Sequence, residues 1–356
     1  MKNNKYCVIM AGGVGSRFWP KSRQSMPKQF LDILGSGKSF IRHTFERFLP
    51  MVPVENFLVV TNAAYRELVL DHIPELSADQ VLCEPVGRNT APCICYAAYL
   101  LRKINPQAEM IVTPADHYIH QEDEFRCAVG ECVEFSIKHN ALITLGIKPT
   151  RPETGYGYIQ ISDSSPITKV KCFTEKPTLE IAQTFIQHKE FFWNSGIFVW
   201  KVSDIVSAIE LHLPDYHTLF SAIEPQLRTP QEGEAIAQLF AQCKPISIDY
   251  GVMERADNVY VRCGDFGWSD VGTWGSVYQH SNKDNFDNAT SEDAFMFNTH
   301  NSIVSLPKGK IAVVSGLEDY IVVDTDDVLM ICPRSEEQNI KKFIDEVKYN
   351  KGNKFL

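Results

Sequence analysis

Tyr6-Cys7-Val8-Ile9-Met10-Ala11-Gly12-Gly13-Val14-Gly15-Ser16-Arg17 is the stretch on which the fold turns. Its opening residues are apolar without alternation, the pattern of a short strand buried on both faces. The glycines that follow remove Cβ atoms and tolerate unusual dihedrals, so bare backbone N–H groups can approach phosphate oxygens closely. A strand feeding such a loop reads as the first turn of an open α/β sheet, where ligands sit beyond the carboxyl ends of strands.

The same grammar extends outward. Phe57 to Val60, Met110 to Thr113 and Leu142 to Leu145 are further short apolar runs expected to be buried strands. Between them, Ser39 can cap a helix carrying Phe40, Ile41, Phe45, Phe48 and Leu49. Asn89 or Thr90 can cap one carrying Ile94, Ala97, Ala98 and Leu101, with Pro92 suited to its first turn. Alternating strands and helices imply parallel pairing with both faces covered. Near residue 285 the pattern changes to short strands led by Ile303, Ile311, Ile321 and Val328, with turns at Lys308-Gly309 and Asp326-Asp327. Glu336 to Val347 is expected to close the chain as a one-faced helix, docked on this β-rich tail or on a partner subunit.

Charge singles out the glycine loop. Among 356 residues, 35 Lys and Arg face 44 Asp and Glu, a net charge of −9 that argues against nucleic-acid binding. Yet between Gly13 and Leu31 stand Arg17, Lys21, Arg23 and Lys28 without a single acid. Cations gathered inside an acidic protein suit a polyphosphate. The spacing does not match other phosphate loops: Phe18 stands where a dinucleotide fold wants its third glycine, and G-x-x-x-x-G-K-[ST] is absent. No apolar run approaches the ~20 residues of a membrane span, and the start shows no export signal. Ten scattered cysteines without C-x-x-C then read as reduced core thiols in a cytoplasmic protein.

Several ordered blocks identify a relationship. The run Gly12 to Phe30, ending Pro27-Lys28-Gln29-Phe30, resembles the signature of sugar-1-phosphate nucleotidyltransferases. With Glu84-Pro85 and Gly87-Arg88-Asn89-Thr90-Ala91-Pro92 it is similar to their mannose-1-phosphate guanylyltransferase branch. Thr113-Pro114-Ala115-Asp116-His117, Glu153 to Ile159, Phe173-Thr174-Glu175-Lys176-Pro177, Trp193 to Phe198 and Trp268 to Trp274 agree in order, so the resemblance covers nearly the whole chain. Ser16, Phe18 and Lys21 depart from the common wording, which leaves the loop intact.

The resemblance implies a Rossmann-like α/β domain with a mostly parallel mixed sheet over residues 1–285. A small β-rich, left-handed β-helix-like domain would follow over 286–356, of a kind that often joins subunits into a homodimer. It implies attack by the phosphate oxygen of mannose 1-phosphate on the α-phosphate of GTP, giving GDP-mannose and pyrophosphate. Arg17 would hold the triphosphate and Lys28 would bind near the α-phosphate; Gly12, Gly13, Gly15, Ser16, Glu84, Gly87, Asn89 and Thr90 would bind the nucleotide. Gly157, Glu175, Lys176 and Asn194 would take the sugar phosphate, and Asp116 and Asp270 would hold Mg²⁺.

The chemistry agrees with these assignments. Two anions must be aligned and neutralised, and the nucleophile is already ionised, so no general base is needed. Mg²⁺ prefers a few carboxylates completed by substrate phosphate and water. Glu84 could accept the N–H donors of guanine or could hold Arg88, and both readings stay open. Trp193, Trp268 and Trp274 are expected to pack rather than stack on substrate. The tail is too short for a further cupin-type barrel, so isomerase activity is not expected. The competing functions are the same chemistry on another base or sugar, a non-catalytic nucleotide-sugar-binding regulatory subunit and, more distantly, a dehydrogenase.

Overall fold

The opening apolar run is strand β1 (Lys5–Ala11), with Cys7, Val8 and Ile9 wholly buried in a computed structural model that describes residues 4–356. Around it are β2 (Phe57–Asn62), β3 (Val81–Glu84), β4 (Glu109–Pro114), β5 (Leu142–Ile147), β6 (Tyr158–Ile161), β7 (Ile167–Thr174), β8 (Phe191–Lys201) and β9 (Val259–Gly264). They form one nine-stranded sheet in the order β3-β2-β1-β4-β8-β5-β9-β7-β6. β3, β2, β1 and β4 run parallel, as do β5 and β9, while β8 is antiparallel to both β4 and β5. The sheet is therefore mixed at its middle.

Amphipathic helices cover both faces. On one, α2 (Thr90–Ile104), α4 (Val202–His212), α5 (Pro214–Ile223) and α6 (Glu232–Gln242) share a core with β1, β2 and β4. The other carries α1 (Phe40–Phe48) and α3 (Glu122–Lys138), where Phe45 meets Phe57 and Phe48 meets Phe125. Asn89 caps α2 as expected, its side-chain oxygen accepting from the Thr90 N–H at 2.8 Å.

The chain packs as two units. The first takes the residues up to Gly12, Thr44–Ala115 and Ile119–Trp268; the second takes Gly13–His43, Asp116–Tyr118 and Ser269–Leu356. This division does not fall at residue 285. The reason is apolar: Phe18, Trp19 and Ile33 of the glycine-loop segment (the hairpin, Gly12 to Phe30, with its continuation) and Phe40 at the start of α1 share one core with Val271, Trp274, Ile303, Ile321 and Ile340.

Within the second unit, β10 (Ala289–Thr290), β12 (Ile303–Ser305) and β14 (Tyr320–Asp324) stack in parallel, with Ala289 opposite Ile303 and Ile303 opposite Ile321. β11 (Ala294–Phe297) and β13 (Ala312–Ser315) stack alongside in the same sense, the signature of a coil winding as a β-helix. β15 (Leu329–Pro333) turns back antiparallel to β14 and ends the coil.

Two helices complete this unit, α7 (Trp274–His280) and α8 (Ile340–Lys351). The last helix starts four residues later than expected, because Arg334–Asn339 winds as 3₁₀ turns. There the Glu337 carboxylate accepts from the Gly275 N–H at 2.8 Å, serving the first turn of α7. Ile340, Phe343, Ile344 and Val347 pack into the second unit's own core, which decides between the two docking sites left open by periodicity.

Candidate active site

The glycine hairpin, Gly12 to Phe30, is braced by its own backbone and side chains. Gly15 has φ +73°, and a Cβ there would lie 2.4 Å from Cβ of Lys28, so glycine is required by conformation and by space. The Lys28 N–H donates to the Val14 carbonyl at 3.1 Å, and the Ser22 hydroxyl to the Gly15 carbonyl at 2.6 Å.

The four cations separate into two pairs. Lys21 donates to the Ser305 hydroxyl and Arg23 grips Asp327, so both tie the hairpin to the tail. Arg17 and Lys28 instead line a cleft of about 290 Å³ with Gly15, Ser16, Asp116 and Asp270. Arg17 is exposed, and among the described residues no hydrogen bond or ion pair engages its guanidinium.

Lys28 is in the opposite state, only 3% exposed. Its ammonium donates to the Asp116 carboxylate at 2.8 Å, the Asp116 carbonyl at 3.1 Å and the Asp270 carbonyl at 2.7 Å. It also lies 5.1 Å and 5.5 Å from the ring centroids of Phe40 and Phe18. All three donors are thus engaged, and Lys28 fastens both aspartate segments to the hairpin. Burial favours the neutral form of Asp116, but Lys28, with His117 adding to it, outweighs burial and holds the carboxyl below its ordinary range.

Asp270 opens a strained turn. Val271, β-branched and fully buried, has φ +41°, a conformation that costs about 1–3 kcal/mol. Gly272 leaves room for the acid, since a Cβ there would meet Asp270 Oδ2 at 2.6 Å. Asp116 and Asp270 present hard oxygen donors to one cleft. Among the described residues no cluster of three or more metal-ligating side chains forms. The pair fits an ion that takes most of its ligands from phosphate and water, as Mg²⁺ does.

Apart from Gly13, which opens the second unit, the remaining predicted residues lie in the first unit. Glu84 ends β3 at 5% exposure, with Oε1 buried and without a hydrogen-bond partner, and burial pushes its carboxyl up to about 8. Its other oxygen lies 3.7 Å from where a Gly12 Cβ would stand. Arg88 does not hold it; the Arg88 Nε–H donates to the Phe240 carbonyl at 3.2 Å. Gly87 and Asn89 are exposed beside it in sequence, Asn89 with φ 71°, and the Thr90 hydroxyl accepts from the Ile248 N–H.

Gly157, Glu175, Lys176 and Asn194 do meet. The Asn194 N–H donates to the Gly157 carbonyl at 2.8 Å, and Lys176 pairs with Glu175 at 2.6 Å. A Cβ on Gly157 would come within 2.4 Å of Glu175 Oε2, so glycine clears that carboxylate. Two residues that sequence reasoning missed orient the amide of Asn194. Its Oδ1 accepts from the Thr144 hydroxyl at 2.8 Å, and its Nδ2 donates to Asp249 Oδ1 at 2.8 Å. Asp249 opens a π-helical turn, Asp249–Met253. Burial, with the negative charge of Glu175 adding to it, pushes its carboxyl up to about 7. The only sequence signal for Asp249 was an acid inside the apolar run Ile246 to Met253.

Trp193 and Trp274 are buried and edge-packed against Tyr156 and Phe18, the packing role expected, and Trp268 also meets Tyr156 edge-on.

Comparison with known proteins gives the family of the chain. Residues 6–286 match the nucleotidyl transferase family model, and residues 293–347 match the MannoseP isomerase/GMP-like beta-helix domain. The chain belongs to the sugar-1-phosphate nucleotidyltransferase family. A mannose-1-phosphate guanylyltransferase of Escherichia coli K12 is 36% identical over 357 residues, covering 96% of this chain and 73% of the relative. One of Klebsiella pneumoniae is 33% identical, covering 98% and 75%. A Thermus thermophilus crystal structure described as a mannose-1-phosphate geranyltransferase is 29% identical, with a TM-score of 0.88 over 97% of this chain and 99% of that one. This nucleotidyltransferase is therefore an enzyme that acts on a sugar 1-phosphate to form a nucleotide sugar, on a Rossmann-like domain followed by a β-helix-like domain.

Proposed function

We propose that the chain transfers a guanylyl group from GTP to α-D-mannose 1-phosphate, giving GDP-mannose and pyrophosphate. The observation that carries the nucleotidyl-transfer chemistry is the hairpin cleft, where an unengaged Arg17 stands with a Lys28-tethered pair of aspartates. Arg17 offers a planar fork of donors to phosphate oxygens, while the Lys28 ammonium keeps Asp116 ionised and holds Asp270 in register. Mg²⁺, held by Asp116 and Asp270, would supply neutralisation of phosphate charge when bound. The sugar-phosphate nucleophile is already ionised, so alignment and charge stabilisation suffice.

Support for guanine and mannose comes from the names of the relatives and from two features of the first unit. Glu84 carries a buried acceptor without a partner, suited to the paired N–H donors of guanine, whose arrival would favour the ionised carboxylate. Glu175, Lys176 and the oriented Asn194 offer the acceptors, cation and amide that a sugar phosphate requires. We place the reaction in a reducing cytoplasm, in keeping with ten free thiols; among the described residues no helix is long and apolar enough to cross a membrane.

The test is pyrophosphate release from four nucleoside triphosphates against mannose, glucose, galactose and fucose 1-phosphates, with and without Mg²⁺. Turnover concentrated in the GTP and mannose 1-phosphate cell, and dependent on the metal, is the expected result. Turnover only with UTP and glucose 1-phosphate would overturn the substrate assignment and leave the chemistry standing.

A further inference from the structure

Charge bookkeeping in the hairpin cleft leaves a deficit. Arg17 and Lys28 are matched by Asp116 and Asp270, so those four residues together carry no net charge toward a triphosphate. Lys28, moreover, has its three donors committed to Asp116 and Asp270 oxygens. Besides His117, one further basic side chain lines the same cleft: Lys341, the second residue of α8. It is exposed, and among the described residues no hydrogen bond or ion pair engages it.

Its position is enforced by packing. Ile340, just before it, is wholly buried, and Phe343, Ile344 and Val347 seat the same helix on the core that contains Phe18, itself a wall of the cleft. Beyond the helix, the Phe355 carbonyl accepts from the Trp19 indole N–H at 2.7 Å, a second tie to the hairpin. Lys342, equally exposed on the next position, is not part of the cleft wall.

We propose that Lys341 binds the phosphate chain of the nucleoside triphosphate, and the pyrophosphate released from it, so that the C-terminal helix completes the nucleotide site. This rests on the reading of the cleft as a triphosphate site. Lys341 tips the cleft to a net positive charge and supplies a mobile point charge beside the fixed fork of Arg17. The β-helix-like tail then has a chemical duty as well as a structural one.

The test uses the full chain and two measurements, pyrophosphate binding by calorimetry with Mg²⁺ and the separate KM values for nucleotide and sugar phosphate. Lys341→Ala is expected to weaken pyrophosphate binding and raise the nucleotide KM about tenfold, with the sugar-phosphate KM within about twofold of wild type. Lys341→Arg should recover most of the loss, and Lys342→Ala should change neither quantity. Unchanged nucleotide KM and pyrophosphate affinity in Lys341→Ala would overturn the proposal. So would an equal rise in both KM values, or the same loss in Lys342→Ala, since these report a disturbed helix or diffuse charge. The pyrophosphate arm involves neither base nor sugar. A wrong guanine or mannose assignment therefore shows in the substrate matrix without touching it, and the KM values are then read with whichever pair turns over.

Discussion

In the hairpin cleft a buried lysine is met by oxygens of two aspartate segments, whereas in the first unit the Glu175 carboxylate bears electrostatically on that of Asp249 with one exposed lysine at hand. The first arrangement has its ammonium fully engaged before any ligand arrives, and it holds Asp116 ionised. The second retains a proton: Asp249 stays neutral up to about pH 7 while it fixes the Asn194 amide. On the proposed function, the difference follows from what each would receive. Phosphates and a divalent ion need charges fixed in place, while sugar hydroxyls need oriented donors and acceptors with little field.

The strongest way to break this contrast is to remove the charges that face the cleft without holding it together. Asp270→Ala and Arg17→Ala should each lower kcat/KM by about 10²–10³-fold. The Arg17 change should leave stability within about 0.5 kcal/mol, because the guanidinium is exposed and unengaged. Arg17→Lys should recover only part of the activity, since a point charge replaces a fork. A melting shift as large as the activity loss would mark either residue as structural.

Lys28→Met tests the other half of the claim. A buried ammonium with three oxygen partners is removed, so activity should collapse and stability should fall by about 1–3 kcal/mol, less than for a fully buried pair because Asp116 is partly exposed. Denaturant titration of both variants separates the roles. If Lys28→Met melts like wild type, the lysine is a phosphate ligand alone and does not fasten the aspartates.

Much of this was legible in the chain and some was not, for reasons of distance. The strands around Val8, Val59, Val112 and Ile143 announce themselves by local apolar runs, and the α2 cap by Asn89-Thr90. The insertion of antiparallel β8 between β4 and β5 is a non-local pairing that no periodicity encodes. The cationic hairpin read as one polyphosphate patch, yet two of its four cations serve Ser305 and Asp327, 284 and 304 residues away in sequence. Glu337 read as the start of a helix, and its use by Gly275 is likewise invisible locally. Asp249 and Lys341 escaped notice because neither sits in a motif; each gains its role only when folding brings it to Asn194 or to the cleft.

The proton on Asp249 gives the smallest effect and the sharpest control. Its ordinary value is 3.8 and the folded value is about 7, so between these limits the native protein holds a proton that the unfolded chain has lost. Stability from this group therefore falls as pH rises through that window and is level above it. The ceiling is about 4 kcal/mol, and an effective interior dielectric near 20 brings the expected loss to about 1–2 kcal/mol. The ligand-free enzyme should then melt about 1–2 °C higher at pH 5 than at pH 8 on this account, since 356 residues unfold with a large entropy and only part of the window lies between those values. Glu84, pushed up to about 8, adds to the same trend. Asp249→Asn keeps an oxygen to accept from Asn194 and cannot titrate, so it should shrink the difference between the two pH values while the Glu84 contribution remains in both proteins. An undiminished difference in that variant would mean that Asp249 is ionised in the fold, and the cluster around Asn194 would then resemble the hairpin cleft in carrying fixed charge rather than contrasting with it.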